Sequence, residues 1–86
     1  MKGYKILDYI IQNYYDYRFT IIVGYNDCVI GWCSESKRII YSSKLIIDKI
    51  MYEQKSDYIE ALEHFEFNIL NAYFENKPII CEDHGI

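Results

Sequence analysis

Between residues 4 and 15 the apolar side chains Leu7, Ile10, Ile11 and Tyr14 recur at helical spacing, with Lys5, Asp8, Gln12 and Asn13 opposite. Such a stripe predicts an amphipathic helix with its apolar side inward. Residues 18–25 and 28–34 are instead rich in β-branched and aromatic side chains, which suit strands. Asn26 and Asp27 between them tolerate left-handed backbone and predict a two-residue hairpin turn. In that register Tyr25 opposes Cys28, Val23 opposes Ile30 and Ile21 opposes Trp32. One face then carries Phe19, Ile21, Val23, Tyr25, Ile30 and Trp32, bulky enough to pack on helices. The other carries Thr20, Ile22, Gly24, Val29, Gly31 and Cys33, open to solvent or to the close approach of a partner.

Glu35, Ser36 and Lys37 predict a second turn, and Arg38 to Tyr41 a third strand. Ser42 or Ser43 is placed to cap a helix over 44–54 with Ile46, Ile47, Ile50 and Met51 inward. Ser56 and Asp57 open the longest predicted helix, to about residue 75, where Asn76, Lys77 and Pro78 break it. Ile79 to Cys81 form a short last strand, and the final five residues are expected to fray. The expected fold is a single α+β domain over residues 1–86, in the order α-β-β-β-α-α-β, with a small antiparallel sheet packed against helices.

The last long helix carries most of the information. Tyr58, Ala61, Leu62, Phe65, Ile69, Ala72 and Tyr73 form its core stripe, with Asp57, Glu60, His64, Asn68, Asn71 and Glu75 opposite. Phe67 and Phe74 depart from the pattern, seven residues apart and hence on one face, between Glu63 on one side and Glu60 and Asn71 on the other. An apolar anchor with a polar rim is the composition of a binding patch. The alternatives are that another helix covers this second stripe, or that it forms a homodimer contact. Glu60, Glu63 and Glu66 follow one another at intervals of three with no lysine between residues 56 and 76. Like charges so spaced repel by a few tenths of a kcal/mol per pair, so helix stability does not account for them, whereas recognition of a basic partner does. Glu66 lies at the edge of the apolar stripe and reads as a partly buried, structural carboxylate.

Charge sharpens this reading. Residues 1–52 carry seven basic and five acidic side chains (+2), and residues 53–86 two basic and eight acidic (−6), which together give the net −4. An acidic second half is unsuited to gripping a phosphate backbone and suited to a basic protein surface, so no direct nucleic-acid contact is expected. Ten tyrosines fit either an AT-rich coding sequence or an interface. Cys28, Cys33 and Cys81 form no CxxC pair. On one strand Cys28 and Cys33 stand about 16 Å apart on opposite faces and cannot bridge, which points to the reducing cytoplasm. No signal peptide and no membrane span are evident.

Candidate chemistry is sparse. His64 with Glu60 and Asn68 is an ordinary solvated trio rather than a metal site, and Glu82, Asp83 and His84 read as a tail. No phosphate-binding glycine loop or hydrolase motif occurs, and a nucleophilic cysteine needs a histidine beside it in space. The expectation is a non-enzymatic binding protein without cofactor or metal, using Phe67, Phe74, Glu60, Glu63 and Asn71.

Tyr58-Ile59-Glu60-Ala61-Leu62-Glu63-His64-Phe65-Glu66-Phe67-Asn68, then Ala72-Tyr73 and Pro78-Ile79, with Tyr41 upstream of a helix, resembles a group of small phage and prophage proteins. In them Tyr-Glu-Glu-Ala leads into Phe-Glu-Phe-Asn, Gly-Ala-Tyr and Thr-Pro. The likeness spans residues 41–80. Asn71 stands where the group has Gly, and Lys77 where it has Thr. Most of that group have no assigned function, but small acidic phage proteins of this size include anti-CRISPR inhibitors. By that analogy of origin and size, the resemblance implies a viral counter-defence protein that binds a bacterial CRISPR effector nuclease, such as an RNA-targeting type VI effector, and disturbs its handling of guide RNA or target. The alternative is a self-associating phage housekeeping module.

Overall fold

The computed structural model describes residues 3–14, 20–72 and 76–85. Helix α1 (Gly3–Asn13) leads through a loop to a short 3-10 turn (Asn26–Cys28) and strand β1 (Val29–Cys33). Strand β2 (Arg38–Ser42), helix α2 (Ser43–Gln54), helix α3 (Tyr58–Phe65), a π-turn (Glu66–Leu70) and strand β3 (Ile79–Cys81) follow. The fold is α+β. The sheet has the order β1-β2-β3 and is mixed: β2 pairs antiparallel with β1 but parallel with β3. The purely antiparallel sheet is thus corrected. A parallel neighbour needs a crossover, and α2, α3 and the π-turn supply it.

The strand expected over 18–25 falls partly on residues 15–19, outside those described; its described part, 20–25, is loop and turn. Gly24 at φ 91° turns the chain there, and Tyr25 N–H closes onto the Ile22 carbonyl at 3.2 Å. The buried Tyr41 hydroxyl accepts a hydrogen bond from Ile22 N–H at 2.9 Å. Asn26 and Asp27 begin the 3-10 turn instead of a hairpin. Tertiary anchoring here overrides strand propensity. Burial raises the Tyr41 phenol above its ordinary value, partly offset by the Ile22 hydrogen bond.

The second predicted hairpin is present. Lys37, in left-handed geometry at φ 58°, donates its N–H to the Cys33 carbonyl at 2.9 Å between β1 and β2. The register is Val29 with Tyr41, Gly31 with Ile40 and Trp32 with Ile39, so Ile30 is an extra residue in β1. This bulge reverses the inward–outward alternation. Val29 and Trp32 consequently face the same side as Ile39 and Tyr41, while Ile30 is exposed. The expected placement of Ile30 and Trp32 on one bulky face is replaced accordingly.

Leu7, Ile10, Val29, Ile39, Tyr41, Ile46, Ile47, Ile50, Ala61, Phe65 and Ile69 close one core, with Cys28 among them. Tyr14 stacks obliquely on Trp32 with ring centroids 5.2 Å apart. Helix α1 approaches so closely that a Cβ on Gly3 would stand 2.3 Å from the Asp27 carbonyl oxygen. Ser42 caps α2, its hydroxyl accepting from Leu45 N–H at 3.1 Å. Lys55 ends the helix in left-handed geometry at φ 51°, its N–H bonded to the Met51 carbonyl. Among the described residues no helix is long and apolar enough to cross a membrane.

Candidate functional site

Helix α3 starts where predicted. The Asp57 carboxylate accepts from Glu60 N–H at 2.8 Å, filling one of the open donors of the first turn. Ala61, Phe65 and Ile69 are buried, as the helical stripe required, and Leu62 is half-buried. Tyr58 is more open than expected, at 39% exposure, its hydroxyl donating to the His84 carbonyl at 3.3 Å. Tyr73, the other tyrosine of that stripe, lies outside the described residues.

The helix departs from expectation after Phe65. Asn71 N–H bonds the Glu66 carbonyl at 3.1 Å, an i to i+5 bond that admits one extra residue into the turn. Helical geometry stops at Leu70 rather than near residue 75. Lys77 reaches back so that its ammonium donates to the Leu70 carbonyl, placing a cation on the negative end of the helix. Asn76, beside it, is in left-handed geometry at φ 54°.

This turn decides what shares the outer face. In an uninterrupted α-helix Asn71 would point about 80° from Glu63 and about 140° from Glu66. One inserted residue rotates everything after it back by about 100°. Asn71 is thereby brought to within roughly 20° of Glu63 and 40° of Glu66. Glu63, Glu66, Phe67 and Asn71 together line an open cavity of about 340 Å³. Phe67 is 85% exposed, so no other helix among the described residues covers it. Ile59, one turn before Glu63, is also 60% exposed.

Of the residues expected at a binding patch, Glu63, Phe67 and Asn71 are gathered here. Glu60 is exposed on the same helix but does not line the cavity, and Phe74 lies outside the described residues. Glu66, expected to be partly buried, is exposed and lines the cavity. Its spacing of three from Glu63 was the available signal. Among the described residues no ion pair neutralises Glu63 or Glu66; the salt bridge present joins Lys49 to Asp27 at 2.8 Å. That bond lowers Asp27 and raises Lys49 from their ordinary values.

A second polar cluster was missed. Asp83 and His84, read as a fraying tail, are fastened to the start of α2. The Asp83 carboxylate accepts from the hydroxyls of Ser42 at 2.7 Å and Ser43 at 3.0 Å and from Lys44 N–H at 2.8 Å. Asp83 N–H in turn donates to Ser43 Oγ at 3.0 Å, and His84 Nδ1 lies 2.7 Å from the same oxygen. With the Ser43 proton directed at Asp83, the imidazole must donate through Nδ1–H. The His84 ring meets Phe65 edge-on at 5.9 Å. Burial alone would raise the Asp83 carboxyl, but the Lys44, Ser42 and Ser43 hydrogen bonds outweigh it and hold the group below the usual carboxylate value.

Serine, histidine and aspartate here do not form a hydrolytic triad. The acid of a triad orients the imidazole, whereas Asp83 bonds the serines, and Ser43 has no exposed surface. The cluster is a latch. Cys28 is no nucleophile either, since burial, followed by the Asp27 charge, pushes its thiol up to about 12. The Asn68 amide donates to the His64 carbonyl at 3.1 Å and stands 3.3 Å from its ring. Among the described residues no group of three His, Cys, Asp or Glu side chains is arranged to hold a metal ion.

The site with the most open chemistry is therefore the acidic, aromatic outer face of α3 and its π-turn. Comparison with protein-family models, curated proteins and solved structures finds no match for this chain.

Proposed function

We propose that the chain is a binding module that docks the outer face of α3 on a basic surface of a partner protein. The observation that carries this reading is Phe67, 85% exposed and flanked by the carboxylates of Glu63 and Glu66, which no cation pairs among the described residues. An exposed aromatic anchor inside an acidic rim gains little in an isolated monomer and much at an interface. The resemblance of residues 41–80 to small phage proteins points to the partner by analogy of origin and size. It is a CRISPR effector nuclease of the bacterial cytoplasm, an RNA-targeting type VI effector in its specific form. Docking on the surface that normally handles guide RNA or target makes the chain a stoichiometric inhibitor, because the acidic face competes for cationic side chains that otherwise hold phosphates. A self-associating module is disfavoured, because two-fold pairing of this face would set Glu63 and Glu66 against their own copies.

The test is an affinity pull-down with mass spectrometry from a host carrying an active CRISPR system, with Phe67→Ala and Glu63→Lys in parallel. One effector recovered with the parent chain and lost with both variants is the expected result. Equal recovery with the variants removes this surface from the reading. Recovery of the chain alone, with a dimer by light scattering, replaces it with self-association.

A further inference from the structure

The cavity on α3 has a composition more specific than negative charge. Among the described residues it is lined by two glutamates, an 85% exposed phenylalanine and an asparagine: Glu63, Glu66, Phe67 and Asn71. At about 340 Å³ it lies near the lower end of the range for ligand pockets, with room for one long side chain. We infer that this cavity is a receptor for an arginine side chain presented by the partner protein. The inference rests on the docking reading above and names the group that the face recognises.

A guanidinium is planar, carries five donors in a fixed fork and is weakly hydrated. It lies flat on an aromatic ring while its edge bonds a carboxylate through two parallel hydrogen bonds. Phe67 offers the ring, Glu63 and Glu66 the acceptors on adjacent turns, and the Asn71 carbonyl one more acceptor. A lysine ammonium meets the charge but forms neither the flat stacking contact nor the paired bonds. Two glutamates three residues apart also repel until a cation stands between them. The π-turn is what makes the set complete: without the inserted residue Asn71 would point away from Glu66. A phosphate-bearing ligand is opposed by both carboxylates. A purely apolar occupant would leave both desolvated and unpaired.

The experiment is amide-resolved NMR titration of the labelled chain at low salt with hexa-arginine and with hexa-lysine, peptides of equal charge. The expected result is shifts centred on Glu63, Glu66, Phe67 and Asn71, with hexa-arginine binding roughly three- to ten-fold more tightly. Phe67→Leu keeps apolar bulk at an exposed position and should reduce that preference to near unity while the spectrum of the fold is retained. Glu66→Gln should weaken both peptides. Equal binding of both peptides at this face overturns the arginine assignment and leaves the acidic docking face standing. Absence of shifts at this face with either peptide overturns both.

Discussion

Replacing Asp83 with Ala tests whether the last residues are part of the fold. The carboxylate is the acceptor for the Ser42 and Ser43 hydroxyls and the Lys44 amide, at the N-terminal end of α2 where negative charge is favoured. Its loss leaves two serines of 2% and 0% exposure without their acceptor. Unsatisfied buried donors cost about 1–3 kcal/mol each. Ser42 keeps its bond from Leu45, and Lys44 N–H can turn to water, so the combined loss is about 2–3 kcal/mol. An 86-residue chain of ordinary stability has roughly 4–13 kcal/mol in total, and the melting midpoint should fall by about 10–20 °C. Because the folded carboxyl is held below its unfolded value, its contribution is present above about pH 4 and is lost as pH falls through the folded pKa. The difference between parent and Asp83→Ala in urea titrations should therefore be full at pH 7 and shrink on acidification below about pH 4. A midpoint change under about 2 °C at pH 7, or a difference that grows in acid, refutes the latch.

Other substitutions probe the frame around the site. Gly3→Ala should lower stability by about 2 kcal/mol or more, since its Cβ meets the Asp27 backbone; calorimetry of that variant beside Gly24→Ala, which has free space but φ 91°, separates collision from backbone strain. Lys55→Gly should raise stability by about 0.5–1 kcal/mol, because Lys55 ends α2 at φ 51°; an unchanged or lower midpoint in urea counts against it. In native thiol labelling at pH 8, exposed Cys81 and half-buried Cys33 should react while Cys28 waits for unfolding. Hydrogen bonds from the Ser36 hydroxyl and backbone lower the Cys33 thiol, and Ser36→Ala should slow its labelling at limiting pH. Labelling of all three at one rate removes the buried Cys28.

The helices and the hairpin between β1 and β2 were legible because their signals are local. Spacing alone put Leu7, Ile10, Ile46, Ile47, Ile50, Ala61 and Phe65 in the core. Segment 20–25 was misread because its strand-like composition cannot reveal that Tyr41, nineteen residues beyond Ile22, supplies the partner for the Ile22 N–H. The parallel pairing of β3 with β2 and the Asp83 latch depend likewise on contacts across some forty residues. On the candidate site, Phe67 stood out as an apolar residue off the core stripe, and Glu63 as its neighbour. Glu66 was displaced from the reading by a helical wheel that assumed one uninterrupted period.

Two of the departures from periodicity share a cause: a single inserted residue. Ile30 in β1 reverses the alternation of the strand, so that Val29 and Trp32 both reach the core. The extra residue in the Glu66–Leu70 turn rotates Asn71 onto the face of Glu63 and Phe67. In a strand the shift changes which side chain is buried. At a helix end it changes which side chains meet at the surface, and a π-turn persists there only when something holds it. Here burial of Ile69 on one side and the Lys77 ammonium on the Leu70 carbonyl hold it. Lys77→Met should therefore loosen the turn while leaving α3 intact. Faster amide exchange at Asn71, with weakened arginine-peptide binding and unchanged protection at Ala61 and Phe65, is the expected pattern. Loosening that extends through α3 would mean that the lysine supports the helix as a whole rather than the geometry of the cavity.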